Sequence, residues 1–176
     1  MAHYAVMAIG SDRPGIVATL TDVVTNLGGN LEDVAATILR GHFVMMLVVS
    51  VPPDVTADQL RKALGQAAAP LGVQITAGDV ENGAPERPSP THLLSVYGSD
   101  RPGIVARFSG LLAERGINIT DLSCQLTNGE PPIYAMVAEI SVPNDTDPNA
   151  LAAELDAAAA VLGVDVSFRP VQIETL

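Results

Sequence analysis

The sequence has no tryptophan, a single cysteine, and only three phenylalanines and three tyrosines among 176 residues. The lone Cys124 excludes an internal disulfide framework and any multi-cysteine metal site. His3, His42 and His92 are scattered without ligand spacing, so no metal is expected. Cations are scarce: nine Lys and Arg stand against twenty Asp and Glu, for a net charge of −11. No cationic group is denser than the pair Arg61-Lys62. Gripping a phosphate backbone requires clustered cations, so direct nucleic-acid binding is not expected, nor is docking on an anionic membrane. The most apolar stretch, residues 43–51, is too short to cross a bilayer. The start Met-Ala-His-Tyr lacks the basic and apolar segments of a secretion signal, so a soluble, cytoplasmic protein is expected. No nucleophile–base pair, Walker loop or nucleotide fingerprint is present, and neither an enzyme nor a cofactor is expected.

What the chain does have is an internal repeat. Gly-Ser-Asp-Arg-Pro-Gly-Ile-Val-Ala begins at Gly10 and again at Gly98, 88 residues later. Leu27-Gly28, Asn30 and Asp33 match Arg115-Gly116, Asn118 and Asp121 at the same offset. Val51-Pro52 then matches Val142-Pro143 at an offset of 91, which places three extra residues in the second copy, near residues 128–132. Self-similarity at a fixed period marks two copies of one structural unit. Each is small enough that pairing, with the other copy or a second chain, adds needed burial, and a homodimer is expected.

The pattern of each copy reads β-α-β-β-α-β. In the first, residues 4–9 form a strand. Pro14 suits a first helical turn, and Ile16, Val17, Leu20, Val23, Val24 and Leu27 make one helical stripe ended by Gly28-Gly29. Residues 31–39 give a weaker strand and 43–51 a strong one. Thr56 and Gln59 form a capping-box pattern before a second helix, which Pro70 and Gly72 end, and residues 73–76 make a short last strand. The second copy repeats this with strands near 93–97, 119–126, 133–142 and 164–168 and helices from Pro102 and about Pro148. Residues 79–90 have the Pro and Gly content of a linker. The expected fold is α+β: two tandem ferredoxin-like βαββαβ domains at 1–78 and 91–176, each a four-stranded antiparallel sheet with both helices on one face.

The repeated strip lies between strand one and helix one. Gly10 permits a tight exit from the strand, and Gly15 lets the backbone approach a ligand. Free N–H groups at the helix start, with the dipole behind them, suit a carboxylate. Asp12 and Asp100 can receive an ammonium, and Asn30 and Asn118 offer both a donor and an acceptor. The same residues also read as plain punctuation: Asp12 as a helix cap, Pro14 as a helix start, Gly15 as a packing glycine. Met45, Met46 and Met136 read as core, Cys124 as a core or half-exposed side chain, and Arg13 and Arg101 as surface charges able to help hold a carboxylate.

Asp12-Arg13-Pro14-Gly15 with Asn30, and Asp100-Arg101-Pro102-Gly103 with Gly116-Ile117-Asn118-Ile119, resemble the ACT domain. The tandem arrangement resembles the glycine cleavage system transcriptional repressor group. The resemblance implies a non-enzymatic regulatory module that binds an amino acid where paired domains meet. Carried over, one half-site comprises Ser11, Asp12, Gly15, Ile16 and Asn30, and the other Ser99, Asp100, Gly103, Ile104 and Asn118. Action through a protein partner, with indirect control of transcription, is the implied role. A ligand-free interaction module or detached regulatory subunit docking onto an enzyme is the alternative.

Overall fold

A computed structural model of the chain describes residues 1–80, 88–127, 129–130 and 132–171. The chain forms two compact units, Met1–Ala84 and Pro85–Leu176. Linker residues 81–87 and, within the expected insertion, residues 128 and 131 lie outside the described residues.

The first unit runs β1 (Ala2–Ser11), α1 (Ile16–Asn26), β2 (Asn30–Leu39), β3 (His42–Val51), α2 (Ala57–Ala68) and β4 (Val73–Asp79). The second runs β5 (His92–Ser99), α3 (Ile104–Glu114), β6 (Asn118–Leu126), β7 (Ile133–Ser141), α4 (Pro148–Leu162) and β8 (Val164–Pro170). Each sheet is antiparallel, ordered β2-β3-β1-β4 and β6-β7-β5-β8. The two tandem βαββαβ folds are those expected.

Strand alternation and helix stripe meet in one core per unit. Tyr4, Val6 and Ala8 of β1 and Phe43, Met45, Leu47 and Val49 of β3 pack with Ile16, Leu20 and Val24 of α1 and Leu60 and Leu64 of α2. Both helices therefore cover the same sheet face, as period-2 strands and period-3.6 helices require. The second core repeats this around Leu94, Val96, Phe108, Met136, Ile140, Leu151 and Leu155. The capping box forms: Thr56 accepts from the Gln59 N–H, and the Gln59 side chain accepts from the Thr56 N–H. At α4 the Asp147 side chain accepts from the Asn149 N–H, so Asp145 and Asp147 belong to a turn and cap.

Four local expectations change. Helix α1 begins at Ile16, not Pro14, because Gly15 takes φ 95°, a left-handed conformation that no helix continues through; α3 likewise begins after Gly103 at φ 97°. Gly10 lies inside β1, opposite Val73, and a Cβ there would stand 2.7 Å from the Gly72 carbonyl oxygen. Its role is close approach of β1 to β4 rather than strand exit. Strands β4 and β8 run on to Asp79 and Pro170, since their pairing with β1 and β5 continues past the apolar residues. Met46, expected in the core, is 52 % exposed, because alternation along β3 turns it to the face opposite buried Met45.

Candidate functional site

The β1–α1 loop is built by its two glycines. Gly10 holds the end of β1 against β4, and the Asp12 N–H donates to the Gly41 carbonyl in the β2–β3 turn at 2.9 Å. The chain then crosses Arg13 and Pro14, and the left-handed Gly15 turns it into α1, its carbonyl accepting from Thr19. No side chain caps α1 or α3, so Asp12 is not the cap that plain punctuation suggested. The first N–H groups of a helix have no partner inside it. Both helix starts therefore present backbone donors and a positive dipole end beside an exposed aspartate, Asp12 or Asp100. A Cβ on Gly15 or Gly103 would meet nothing within 4 Å. The space over each loop is open, and the glycine is required by its φ.

Of the expected residues, Ser11, Asp12 and Gly15 come together in one loop, and Ser99, Asp100 and Gly103 in the other; all six are exposed. Ile16 and Ile104 are 2 % exposed and belong to the cores, so only their main chain can face a ligand. Asn30 and Asn118 do not join these loops within their own unit. Asn30 pairs with Ser50, which pairs with His3, whereas Ser11 pairs with His42 at the far end of the sheet. His3 and Ser11 are eight residues apart on β1, roughly 26 Å at the usual strand rise. Asn118 pairs with Ser141 in the same way. Within one unit, a loop and its asparagine therefore do not line the same pocket.

The second loop has surroundings the first lacks. The Arg101 guanidinium donates to the Leu162 carbonyl at 3.1 Å, tying the loop to the C-terminus of α4, where a cation is favoured. Beneath the loop, a hydrogen bond to Cys124, burial and the nearby Asp100 push the Tyr134 phenol up to about 12. The equivalent positions in the first unit are Phe43 and Ala36. Cys124 is half-buried against the core, as expected. Arg13 is exposed. Among the described residues no group of three or more His, Cys, Asp or Glu is placed to hold a metal ion, and no helix is long and apolar enough to cross a membrane.

The ACT domain family model matches residues 4–78 and 91–169. A UPF0237 protein of Methanopyrus kandleri is 40 % identical over 76 residues, 43 % of this chain and 84 % of that protein. The glycine cleavage system transcriptional repressor of Escherichia coli is 31 % identical over 126 residues, 68 % of this chain and 63 % of that protein. Among solved structures, an unknown protein from Galdieria sulphuraria aligns over 97 % of this chain and 99 % of its own, with a TM-score of 0.82 and 26 % identity. A putative glycine cleavage system transcriptional repressor covers 98 % of both chains with a TM-score of 0.75 at 21 % identity, a likeness of fold.

Proposed function

The chain belongs to the ACT-domain family, and from that premise we propose that it is a non-enzymatic regulatory protein whose β1–α1 and β5–α3 loops bind an amino acid. The carrying observation is the duplicated helix start that is turned by a left-handed glycine and left without a side-chain cap. Its N–H groups suit a carboxylate, and the exposed Asp12 or Asp100 suits the ammonium. Asn30 and Asn118 enter the pocket only from a neighbouring fold, as when two copies of the chain associate. With so acidic a chain, control of transcription runs through a protein partner rather than through DNA contact. The repressor name of the Escherichia coli relative supports a role in the control of transcription. The proposed compartment is the cytoplasm and the proposed assembly a homodimer.

Calorimetric titration of glycine, serine and the branched-chain amino acids tests this. Binding to the native chain that weakens in Asp12→Asn or Asp100→Asn supports the loop sites. No heat from any of them at millimolar concentration overturns the reading. The alternative, a ligand-free module docking onto an enzyme, draws support from the apolar open face of the first unit, where Met7, Ile9 and Met46 are 49 %, 44 % and 52 % exposed. Light scattering that finds only monomer at micromolar concentration counts against the dimer.

A further inference from the structure

The open face of the second unit, opposite its helices, carries a charged row of which the first unit keeps only one member, Asp33. Asp121 pairs with Glu139, Glu139 with Leu93, and Leu93 with Arg169, so one register line crosses all four strands. The neighbours Ala138, Ile140 and Leu94 are buried in the core, which turns Glu139 and Leu93 to the other face. The equivalent line in the first unit reads Asp33, Val48, Ala5 and Gly78. Duplication supplies the control: the same backbone line is nearly uncharged in one copy and doubly acidic and basic in the other.

Two adjoining cavities follow this line and share Glu139. One, of about 360 Å³, is bounded by Pro88–Pro90, Thr120, Asp121 and Glu139. The other, of about 510 Å³, is bounded by Leu93, Glu139, Arg169, Pro170 and Val171. Their walls are pinned: the Thr91 N–H donates to Ile140 and the Val171 N–H to Thr91, at 2.9 and 2.8 Å. Among the described residues the ion pairs are His3–Glu32, Arg61–Asp58 and Arg115–Glu154, so Asp121, Glu139 and Arg169 are in none. Like charges directly opposite on neighbouring strands are unfavourable. Asp121 and Glu139 therefore gain from a cation between them. Glu139 and Arg169 stand two strand spacings apart at the backbone, about 10 Å, with Leu93 between.

We propose that this groove binds a small zwitterion whose charges are well separated, of the kind a dipeptide presents. Its ammonium lies between Asp121 and Glu139, its carboxylate on the Arg169 guanidinium, and its middle over Leu93. A dipeptide spans at most about 7 Å, a length that the reach of the Glu139 and Arg169 side chains brings within range. Glycine, with both charges on one carbon, cannot bridge them. The site is separate from the loops of the proposed function and stands or falls without them.

The test is calorimetric titration of glycylglycine, N-acetylglycylglycine and glycine into the full chain, with backbone amide shifts followed by NMR. Glycylglycine is expected to bind, with shifts centred on β5, β7 and β8. At this face, read from those shifts, the acetylated dipeptide and glycine are expected to bind at least about tenfold more weakly. Glu139→Gln and Arg169→Gln should each weaken glycylglycine about tenfold, with melting temperatures unchanged, whereas Asp12→Asn and Asp100→Asn should leave it unaltered. No binding at tens of millimolar overturns the proposal. Equal affinity for the acetylated dipeptide, or loss in the loop variants alone, does so equally.

Discussion

Replacing the two glycines of the repeated strip by alanine separates two physical demands that look identical in sequence. At Gly15 the added Cβ meets nothing within 4 Å, so the only cost is holding an L-residue at φ 95°. Left-handed backbone costs an L-residue about 1–2 kcal/mol. In a domain of this size each kcal/mol moves the midpoint by about 4–8 °C, so Gly15→Ala should lower the first unit's midpoint by about 4–16 °C. At Gly10 the new Cβ would lie 2.7 Å from the Gly72 carbonyl oxygen and 3.0 Å from Val73 Cα. Those are backbone atoms that cannot rotate away, so the loss should reach the upper end of the about 1–3 kcal/mol that overpacking costs. Scanning calorimetry of the full chain measures both. A D-alanine placed at residue 15 by chemical ligation distinguishes them further, because its mirror-image preference includes positive φ. It should restore most of the loss at residue 15. A neutral Gly15→Ala, or a D-alanine no better than the L-form, would refute the reasoning. Because this cost exists without any ligand, the glycine variants report on folding, and the aspartate variants are the cleaner probes of binding.

Removing the Tyr134 hydroxyl with Tyr134→Phe should abolish an ultraviolet titration step near pH 12, and Cys124→Ala should move that step lower. The sign follows: a phenol raised in the folded state stabilises below pH 10, the unfolded value, and that stability drains away as pH rises toward 12. The native chain should therefore lose more stability over that window than Tyr134→Phe does, measured by urea unfolding. His92, stacked on Phe168 with ring centroids 4.6 Å apart, has its pKa lowered by burial. Its NMR titration midpoint should fall below 6.5, and stability should decline as pH drops through that value, because the unfolded chain takes up the proton first. Phe108 is fully buried, so Phe108→Ala should cost the second unit about 3–5 kcal/mol, visible in calorimetry. Thr56→Ala should remove about 1 kcal/mol from the first unit by breaking the reciprocal cap at α2.

What could be read in the sequence was what adjacent residues decide. Thr56 and Gln59 are three apart, and the capping box follows from that spacing alone; the stripe Ile16, Leu20, Val24 likewise names its own buried face. The helix stripe and the Gly-Ser-Asp-Arg-Pro-Gly strip each occur twice, which made the two βαββαβ units legible. What stayed hidden was set by pairing between distant strands. Asn30 lies only four residues past the end of α1, yet the register of β2 places it at the end of the sheet opposite Ser11. Met45 and Met46 are the same residue type side by side, and only the phase of the strand decides that one is buried and the other exposed. The Arg101 contact with Leu162 spans 61 positions and depends on where α4 ends.

The charged row is the sharpest case. Asp121, Glu139 and Arg169 are unremarkable in sequence, and only register draws them onto one line. The repeat gives that line its meaning. Positions kept in both copies, Asp12-Arg13-Pro14-Gly15 and Asp100-Arg101-Pro102-Gly103, serve what the two units share: the loop and the start of the helix. Positions that differ, Val48 against Glu139 and Gly78 against Arg169, mark what the units do separately. The interior cannot account for the difference, since the flanking strand residues are apolar in both cores. Gains of charge on an exposed sheet face add little to folding, because solvent screens them. Recognition is the role left for a carboxylate pair and a guanidinium held on opposite sides of one leucine.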